Sequence, residues 1–299
     1  MKIVDAGSLS RAATTLFVAQ PALSQQMAEL EAELGVALLL RSARGVRATP
    51  AGEVLYREAS AILHHVAKLP DLVRDSGGAV AGAVGLGMSS TLASFIAGPF
   101  IEACRAALPG VGLSFVTEDS ATLKARLAAQ GLDLAVVFEE APTPGQMRMA
   151  LFRQRLYLVD RKRLPGGART VSLQRLASMP LVLASPPNIV RGVLDRAFAE
   201  LGARPDVVAE TNLLASMLAA VQAGVGATVV PMGDVGAAFG RGALVATPIE
   251  PAMYLTAYIV SADDRPLTRG GEAVRALLAS FVARLMQDQA PAGMEPVET

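Results

Sequence analysis

Amide, hydroxyl and guanidinium side chains cluster in the first part of this 299-residue sequence. Glutamine can form two hydrogen bonds to adenine, serine can bond a base or a phosphate, and arginine suits phosphates. The candidates are Gln20, Pro21, Ser24, Gln25, Arg41, Arg44 and Arg47. A polar helix face is more often only solvated, so these residue types leave nucleic-acid contact and plain solvation as alternatives.

A second group of polar residues follows the ends of predicted strands in the rest of the chain. Hydroxyls and free backbone amides at the start of a helix can hold an anion. The members of this group are Ser89, Ser90, Thr91, Thr117, Ser120, Ser185, Asn188, Thr211 and Asn212. Each of them taken alone is more often a helix cap than a ligand contact.

The sequence has no recognisable catalytic or metal-ligating set. Its two histidines, His64 and His65, are adjacent, so they point in different directions on a helix. The single cysteine, Cys104, excludes both an intrachain disulfide and a cysteine cluster for a metal. An enzyme built on this chain would have to use carboxylates or arginines alone, and we predict no cofactor and no metal.

Two short helices joined by a tight turn are predicted to position the first polar group. The first begins after Ser8, a suitable N-cap, and the second ends at Gly35, a suitable C′ residue. Their apolar stripes are Leu9, Ala12, Ala13 and Leu16, then Leu23, Met27, Leu30 and Leu34. This spacing indicates a helix-turn-helix, although any helical hairpin has the same periodicity.

A hairpin and a long helix are predicted to follow. Residues 36–48 combine an apolar segment with arginines around Gly45, which permits a positive φ, so they favour a small wing. Thr49 and Pro50 then suit the start of a helix. Its apolar residues alternate spacings of four and three, as in a coiled coil that dimerises, although a helix lying on its own domain is nearly as compatible. These residues are Leu55, Ala59, Ile62, Val66 and Leu69, and Pro70 is expected to kink or end the helix.

The remainder of the chain alternates short strands with helices, which favours parallel sheets with helices on both faces. The predicted strands are 83–88, 111–116, 132–138, 154–160, 180–184, 206–210, 226–231, 243–249 and 253–260. The predicted helices are 92–107, 120–130, 189–201, 212–223 and 271–287. The pattern runs twice, which predicts two lobes with a ligand cleft between them.

The patterns divide the chain into 1–49, with the candidate helix-turn-helix and wing, 50–79, with the long linker helix and hinge, and 80–290, with the two lobes. We expect lobe I to contain about 80–160 and 266–290, and lobe II about 161–265. Residues 291–299 are expected to form a disordered tail. The fold class is thus α+β and multidomain.

Charge and composition set further limits. The 27 basic and 27 acidic residues cancel, but residues 41–57 contain four arginines and one glutamate, a local charge of +3. The uncharged stretch 76–101 is broken by six glycines and Pro99, so we predict a soluble protein without membrane contact. The single cysteine fits a reducing compartment, the cytoplasm.

Residues 3–65 keep the motifs and spacing of a known family. The segment GSLSRAATTLFVAQPALSQQMAELEAELGVALLLRSARGVRATPAG resembles the N-terminal winged helix-turn-helix of LysR-type transcriptional regulators. Later segments, LPGVGLSF, GLDLAVVF and VQAGVGATVVP, are similar to the effector domain of that family, which has a periplasmic-binding-protein-like fold. The resemblance therefore extends over nearly the whole chain.

The resemblance implies a sequence-specific transcriptional regulator and not an enzyme. In such a protein the second helix of the motif reads a dyad-symmetric DNA site in the major groove, and a small anionic effector in the cleft controls it. Ser10, Arg11 and Thr49 join the DNA-contacting candidates through this resemblance. It also implies a homodimer or homotetramer, with RNA polymerase as a candidate partner.

Two features depart from the family pattern. Ala19 stands where the family has a serine N-cap, and its loss costs about 1 kcal/mol of helix stability. Met1 falls where the first helix should be half built, so we expect Leu9, Ala13, Leu16 and Leu23 to be uncovered. Two alternatives therefore stay open. The chain could be a small-molecule binding protein that has lost DNA binding, or an α/β enzyme acting on a small anion.

Overall fold

The computed structural model describes residues 1–42, 45–74, 80–232, 244–289 and 291–297. Side chains are described for all of these except residues 57, 61, 64, 65, 67–74 and 289. The chain divides into two compact units. The smaller is Met1–Leu69 with Ala129–Gly131, and the larger is Pro70–Ala128 with Leu132–Thr299.

Helices and one hairpin make up the N-terminal part of the chain. They are α1 (Lys2–Ala6), α2 (Leu9–Leu16), α3 (Gln20–Leu34), β1 (Leu39–Ser42), β2 (Gly45–Ala48) and α4 (Pro50–Arg74). Ser8 caps α2, and Gly35 at φ 67° ends α3, as predicted. Phe17, at φ 56°, makes the turn between α2 and α3 in a left-handed conformation.

A small core holds the helix-turn-helix together. Ile3, Leu9 and Ala12 are buried there. Leu9 and Ala13 were expected to be uncovered, and this is wrong, because Ile3 of α1 packs against the same core. Leu23 is only half-buried, and Leu16 is exposed as expected.

Only the first half of the apolar stripe of α3 packs against the core of this unit. Leu23 and Met27 pack against the core. Leu30 and Leu34 were predicted to face it but are exposed, because the small core does not extend to them among the described residues.

Side chains fix the two ends of the wing. Oε1 of Glu31 accepts hydrogen bonds from the backbone N–H groups of Leu38 and Leu39, at 2.7 and 3.0 Å. Thr49 caps α4 by accepting a hydrogen bond from Gly52 N at 3.0 Å. The wing is therefore tied to α3 at one end and to α4 at the other.

The linker helix α4 does not end at Pro70, which was one of the two outcomes expected there. It continues through Pro70 to Arg74, because a proline removes one intrahelical hydrogen bond without always ending the helix. Leu55 and Ala59 are half-buried, and Ile62 and Val66 are exposed. The side chain of Leu69 lies outside the described residues, as does the expected hinge at 75–79.

The larger unit contains the remaining elements. They are β3 (Gly82–Ser89), α5 (Ser90–Ala107), β4 (Val111–Glu118), α6 (Ser120–Ala128), β5 (Leu134–Glu139), β6 (Gln146–Arg155), β7 (Tyr157–Asp160), a 3₁₀ turn (Pro165–Gly167), β8 (Val171–Ser172), α7 (Leu173–Ala177), β9 (Pro180–Leu183), α8 (Ile189–Glu200), β10 (Asp206–Glu210), α9 (Leu214–Ala223), β11 (Thr228–Val230), β12 (Val245–Glu250), β13 (Tyr254–Ala262), α10 (Arg269–Gln289) and β14 (Met294–Glu295).

Lobe I is built on a six-stranded sheet in the order β14-β6-β13-β5-β3-β4. β3 runs parallel to β4 and β5, but β13 is antiparallel to both β5 and β6. The expectation of purely parallel sheets is therefore wrong. β13 enters lobe I directly from β12, without the crossover helix that a parallel neighbour needs. α10 packs on this lobe as expected, with Phe281 edge-on to Phe100 of α5 at 5.7 Å between ring centroids.

Lobe II contains a four-stranded sheet in the order β11-β7-β12-β8 and the parallel pair β10-β9. β9 is joined to the larger sheet by a bridge from Leu181 to Ala227. The predicted strand 154–160 is two strands, because β6 pairs in lobe I and β7 pairs in lobe II. The predicted strand 243–249 is observed as β12, with Ala243 outside the described residues.

The expected lobe boundaries need correction. Residues 157–160 belong to the lobe II sheet, and residues 254–262 belong to the lobe I sheet. The chain therefore crosses between the lobes at Leu156 and at 251–253. Leu156 N donates to Met253 O at 2.8 Å, which joins the two crossings.

The expected disordered tail is also partly wrong. Within it, Met294 and Glu295 form β14 on the edge of β6, and Met294 is buried. None of the helices in the described part of the chain is long and apolar enough to cross a membrane.

Candidate nucleic-acid interface and ligand cavity

The N-terminal end of α3 presents a polar face to solvent. Gln20, Pro21 and Gln25 are exposed, and Ser24 is half-buried. Ala19 is the N-cap and forms no side-chain cap bond, as the sequence predicted. Gln25 Nε2 donates to Glu29 Oε1 at 3.0 Å, so this amide is held along the helix.

The wing places one arginine beside this face. Arg41 Nη1 donates to Ser24 Oγ at 3.1 Å, which brings a guanidinium next to the first turns of α3. Arg41 lies opposite Val46 across the hairpin, whereas Arg47 lies opposite Leu40. Because side chains alternate across a strand, Arg41 and Arg47 project from opposite faces of the wing. Arg44 lies outside the described residues.

The remaining predicted DNA-contacting residues differ in their exposure to solvent. Ser10 and Arg11 are exposed at the start of α2. Thr49 is buried, and its hydroxyl donates to Ala37 O at 2.7 Å while accepting from Gly52 N. Both roles of this hydroxyl are structural, so the structure removes Thr49 from the set of candidate DNA contacts.

A cavity of about 390 Å³ lies between the two lobes of the larger unit. Six of the nine predicted ligand residues line it: Ser89, Ser90, Thr91, Ser120, Asn188 and Asn212. Thr117, Ser185 and Thr211 are not in its wall. Thr117 is exposed on β4, Ser185 N donates to Asn212 Oδ1, and Thr211 Oγ1 accepts a hydrogen bond from Leu213 N.

The lobe I wall contains a hydroxyl without a partner. Ser89 is 7% exposed, and its Oγ forms no hydrogen bond among the described residues. Ser89 is the N-cap of the 18-residue helix α5, yet its side chain accepts no hydrogen bond from the first turn. A helix N-terminus carries partial positive charge, so this wall is suited to an anion.

The lobe II wall uses its amides to hold the backbone. Oδ1 of Asn188 accepts hydrogen bonds from Val190 N and Arg191 N, at 3.0 and 3.3 Å, and so caps α8. Oδ1 of Asn212 accepts from Ser185 N at 3.0 Å. Both amides therefore have structural roles that the sequence could not separate from ligand contact.

Charged residues complete the lining, and sequence reasoning missed all of them. They are Asp119, Lys124, Glu140, Arg191, Asp195 and Arg196. No motif in the sequence marks them, and the partners of Lys124, Glu140 and Arg196 are distant in sequence. Three are basic and three acidic, so the lining has no formal net charge.

All of these charges except Asp119 form ion pairs among the described residues of the protein. Arg191 donates hydrogen bonds to Glu210 at 2.6 Å and to Asp195 at 2.8 Å, and the bond to Glu210 is the main cause of the raised pKa of Arg191. Lys124 bonds Glu139 at 3.0 Å. Arg196 of lobe II pairs with Glu140 of lobe I, so one ion pair spans the cleft. No cluster of potential metal ligands occurs among the described residues.

Comparisons with known proteins agree with this architecture. Residues 1–53 match the family described as "Bacterial regulatory helix-turn-helix protein, lysR family", and residues 77–285 match "LysR substrate binding domain". The nitrogen assimilation regulatory protein nac of Escherichia coli K12 is 35% identical over 95% of this chain and 93% of its own length. The transcriptional regulator BbuR of Bordetella bronchiseptica is 31% identical over 97% of this chain and 88% of its own length.

The fold is also found in solved structures. Full-length CbnR complexed with its target DNA has a TM-score of 0.66 at 21% identity, covering 95% of this chain and 96% of that chain. The two family matches together span most of the sequence, and the relatives are regulators of transcription. The chain belongs to the LysR family of transcriptional regulators, with a helix-turn-helix that binds DNA and a two-lobed domain that binds an effector.

Proposed function

We propose that the N-terminal end of α3 reads base edges of a dyad-symmetric site, while the wing holds the phosphate backbone. The hydrogen bond between Arg41 and Ser24 carries this proposal, because it places a cation beside the face formed by Gln20, Pro21, Ser24 and Gln25. Arg47 is a further phosphate contact in this proposal, Arg44 is retained from the sequence alone, and Ser10 and Arg11 contact the DNA backbone at the start of α2. Paired helices of this kind read two half-sites one helical turn or its multiples apart.

The test begins with genome-wide binding and footprinting to obtain the site. Arg41→Ala should weaken binding to specific and random DNA alike and lower the slope of log K against log salt by about 1. Gln20→Ala should instead reduce the ratio of specific to random binding. If Arg41→Ala leaves the slope unchanged, or if no protected dyad is found, the proposal fails.

The cavity between the lobes is proposed to hold a small anionic effector at the N-terminus of α5. The buried Oγ of Ser89 without a partner supports this, together with the uncapped first turn of the helix. Binding across the cleft would favour one lobe arrangement, shift the assembly and change the bend of the DNA. This places control of DNA binding in the larger unit.

Thermal shift with a panel of dicarboxylates, amino acids, sulfate and phosphate tests the cavity. A probe that stabilises the wild type should fail to stabilise Ser89→Val, which fills the space beside the helix N-terminus with a methyl group. Thr117→Val serves as the control, because Thr117 does not line the cavity. Equal stabilisation of all three proteins would rule out the α5 site.

The regulated genes are proposed to belong to nitrogen assimilation, which the 35% identical relative is named for. We also propose that the protein acts in the cytoplasm and catalyses no reaction. Binding profiles from nitrogen-limited and nitrogen-replete cells test the gene assignment. Turnover of a bound probe by the purified protein would contradict the assignment as a non-enzyme.

A further inference from the structure

The connection between β7 and β8 carries a group of cations outside the sites described above. Arg161, Lys162, Arg163 and Arg169 are all exposed on lobe II. We refer to residues 161–169 as the basic loop. None of the four cations lines the cavity between the lobes.

The basic loop has a defined anchor. Leu164 is buried at its centre, and the 3₁₀ turn Pro165–Gly167 follows, with Gly166 and Gly167 both at positive φ. The nearest acid in sequence, Asp160, accepts hydrogen bonds through Oδ1 from the backbone N–H groups of Arg161 and Lys162, at 2.6 and 3.4 Å. The carboxylate thus holds the backbone turn and forms no ion pair with the loop side chains.

Arg161 differs from the other three cations. A Cβ atom at Gly224 would lie 2.7 Å from its Cζ, so the guanidinium packs against the glycine that ends α9. A cation at a helix C-terminus offsets the partial negative charge there. Lys162, Arg163 and Arg169 remain exposed, and among the described residues they form no ion pair or side-chain hydrogen bond.

This arrangement contrasts with several other cations of the larger unit. Arg126, Arg155 and Arg191, for example, each bond a carboxylate at 2.5 to 2.8 Å. An unpaired group of three cations within eight residues therefore stands out, and such groups attract extended anions.

The acidic and basic side chains of the N-terminal part of the chain balance, so a contact with DNA phosphates elsewhere in the protein would strengthen DNA binding. Residues 1–75 contain eight basic and eight acidic side chains, so the DNA reader has no net positive charge. Sequence-independent affinity for DNA comes from neutralised phosphates and the counterions they release. Apart from the arginines of the wing and of α2, residues 1–75 have no excess of positive charge to add to this affinity.

We infer that the basic loop of lobe II binds the phosphate backbone of duplex DNA, as a second contact besides the helix-turn-helix. The proposed ligand is the sugar–phosphate chain, because phosphate oxygens accept hydrogen bonds from both lysine and arginine side chains. The loop adds sequence-independent affinity to that supplied by the arginines of the helix-turn-helix and wing.

The experiment uses the full-length protein and a random duplex of about 40 base pairs, with binding measured by fluorescence anisotropy across a salt series. Replacing Lys162, Arg163 and Arg169 by alanine should make the slope of log K against log salt shallower by about 2 to 3, since each phosphate contact contributes roughly 0.9. The double variant Arg163→Lys and Arg169→Lys should keep the wild-type slope, because phosphates accept either cation.

A charge-matched control separates a local contact from the effect of net charge. Arg105, Arg175 and Arg284 are exposed cations on three different helices of the larger unit, and replacing all three by alanine should leave the slope near that of wild type. The inference is overturned if the loop variant keeps the wild-type slope, or if both triple variants lower it equally. It is also overturned if the loop variant alters transcription in vitro with DNA binding intact, which would indicate an acidic protein partner. Because random DNA is used, these outcomes are independent of whether α3 reads a dyad.

Discussion

At the scale of single residues, similar side chains at helix starts have different roles. Asn188 satisfies two backbone N–H groups at the start of α8, whereas the Oγ of buried Ser89 bonds no described group at the start of α5. A cap stabilises its helix, but a buried hydroxyl without a partner loses its hydrogen bonds to water and gains none from the protein, which destabilises the fold. The first residue therefore serves folding, and the second is open to a ligand.

This difference predicts opposite effects on stability. Asn188→Ala should lower the free energy of unfolding of the larger unit by about 1 kcal/mol, because two N–H groups lose their acceptor. Ser89→Ala should leave it unchanged or raise it slightly, since no hydrogen bond is lost. Chemical denaturation of the two variants, without any probe present, checks this. A Ser89→Ala loss equal to that of Asn188→Ala would mean that Ser89 has a structural role.

At the scale of elements, the linker helix α4 exposes two apolar residues of its predicted seam. Ile62 is 64% exposed and Val66 54% exposed in the single chain. With Leu55, Ala59 and Leu69 they repeat every 3.5 residues, the spacing that brings one seam against a partner helix. We therefore propose the seam as the dimer contact of α4.

Ile62→Glu should weaken the dimer at least about 10-fold, because association would bury an unpaired carboxylate. Val54→Glu is the matched control, since Val54 is 49% exposed on the same helix but lies outside the seam. Sedimentation velocity over a concentration series measures both variants. Dimerisation unaffected by Ile62→Glu would place the contact elsewhere.

The C-terminal strand β14 is a second element defined by long-range contacts. Glu295 accepts hydrogen bonds from Arg153 at 2.8 and 3.1 Å and from the hydroxyl of Tyr254 at 2.9 Å. Burial, and then the bond to Glu295, raise the pKa of Tyr254 above its ordinary value of 10.0. The folded structure therefore favours the protonated form of the Tyr254 hydroxyl, which donates the hydrogen bond to Glu295 of β14.

Tyr254→Phe should lower the free energy of unfolding by about 1 kcal/mol near neutral pH, because the partly exposed bond to Glu295 is lost. A raised pKa means that this contribution is complete below pH 10 and is lost as pH rises through the folded-state pKa. The difference between wild type and variant should thus shrink above pH 10. Denaturation curves at neutral and alkaline pH measure this difference in free energy of unfolding. A difference that stayed constant with pH would contradict the stabilising hydrogen bond from Tyr254 to Glu295.

At the scale of the whole molecule, the two compact units have separate cores. Ile3, Leu9 and Ala12 form the small core, and the principal core of the larger unit includes the fully buried Phe100. Units with separate cores need not unfold in one transition.

Phe100→Ala should lower the stability of the larger unit by about 3 to 5 kcal/mol through a cavity in its core. Leu9→Ala should instead lower the stability of the helix-turn-helix, because Leu9 lies in the small core. Scanning calorimetry should resolve two transitions, each shifted by one variant only. A single transition shifted by both variants would show that the units unfold together.

Local sequence rules account well for the reader and only partly for the larger unit. Ser8, Gly35 and Thr49 were predicted to form helix boundaries, and these predictions are confirmed, because capping depends on residues three or four positions away. The ligand cavity was predicted from strand ends, but its charged lining was not. Arg191, for instance, is 19 residues from Glu210 in sequence, and no periodicity relates the two.

The sequence by itself determined the family, the two short helices, the wing and the polar face of α3, since these rest on neighbouring residues. The tertiary structure decided where the lobes divide, which charges pair across the cleft and that the C-terminal segment forms a strand. β13 joins lobe I and β7 joins lobe II because of hydrogen bonds to strands far away in the chain. Long-range pairing leaves no signature in local spacing, so only the folded chain could reveal it.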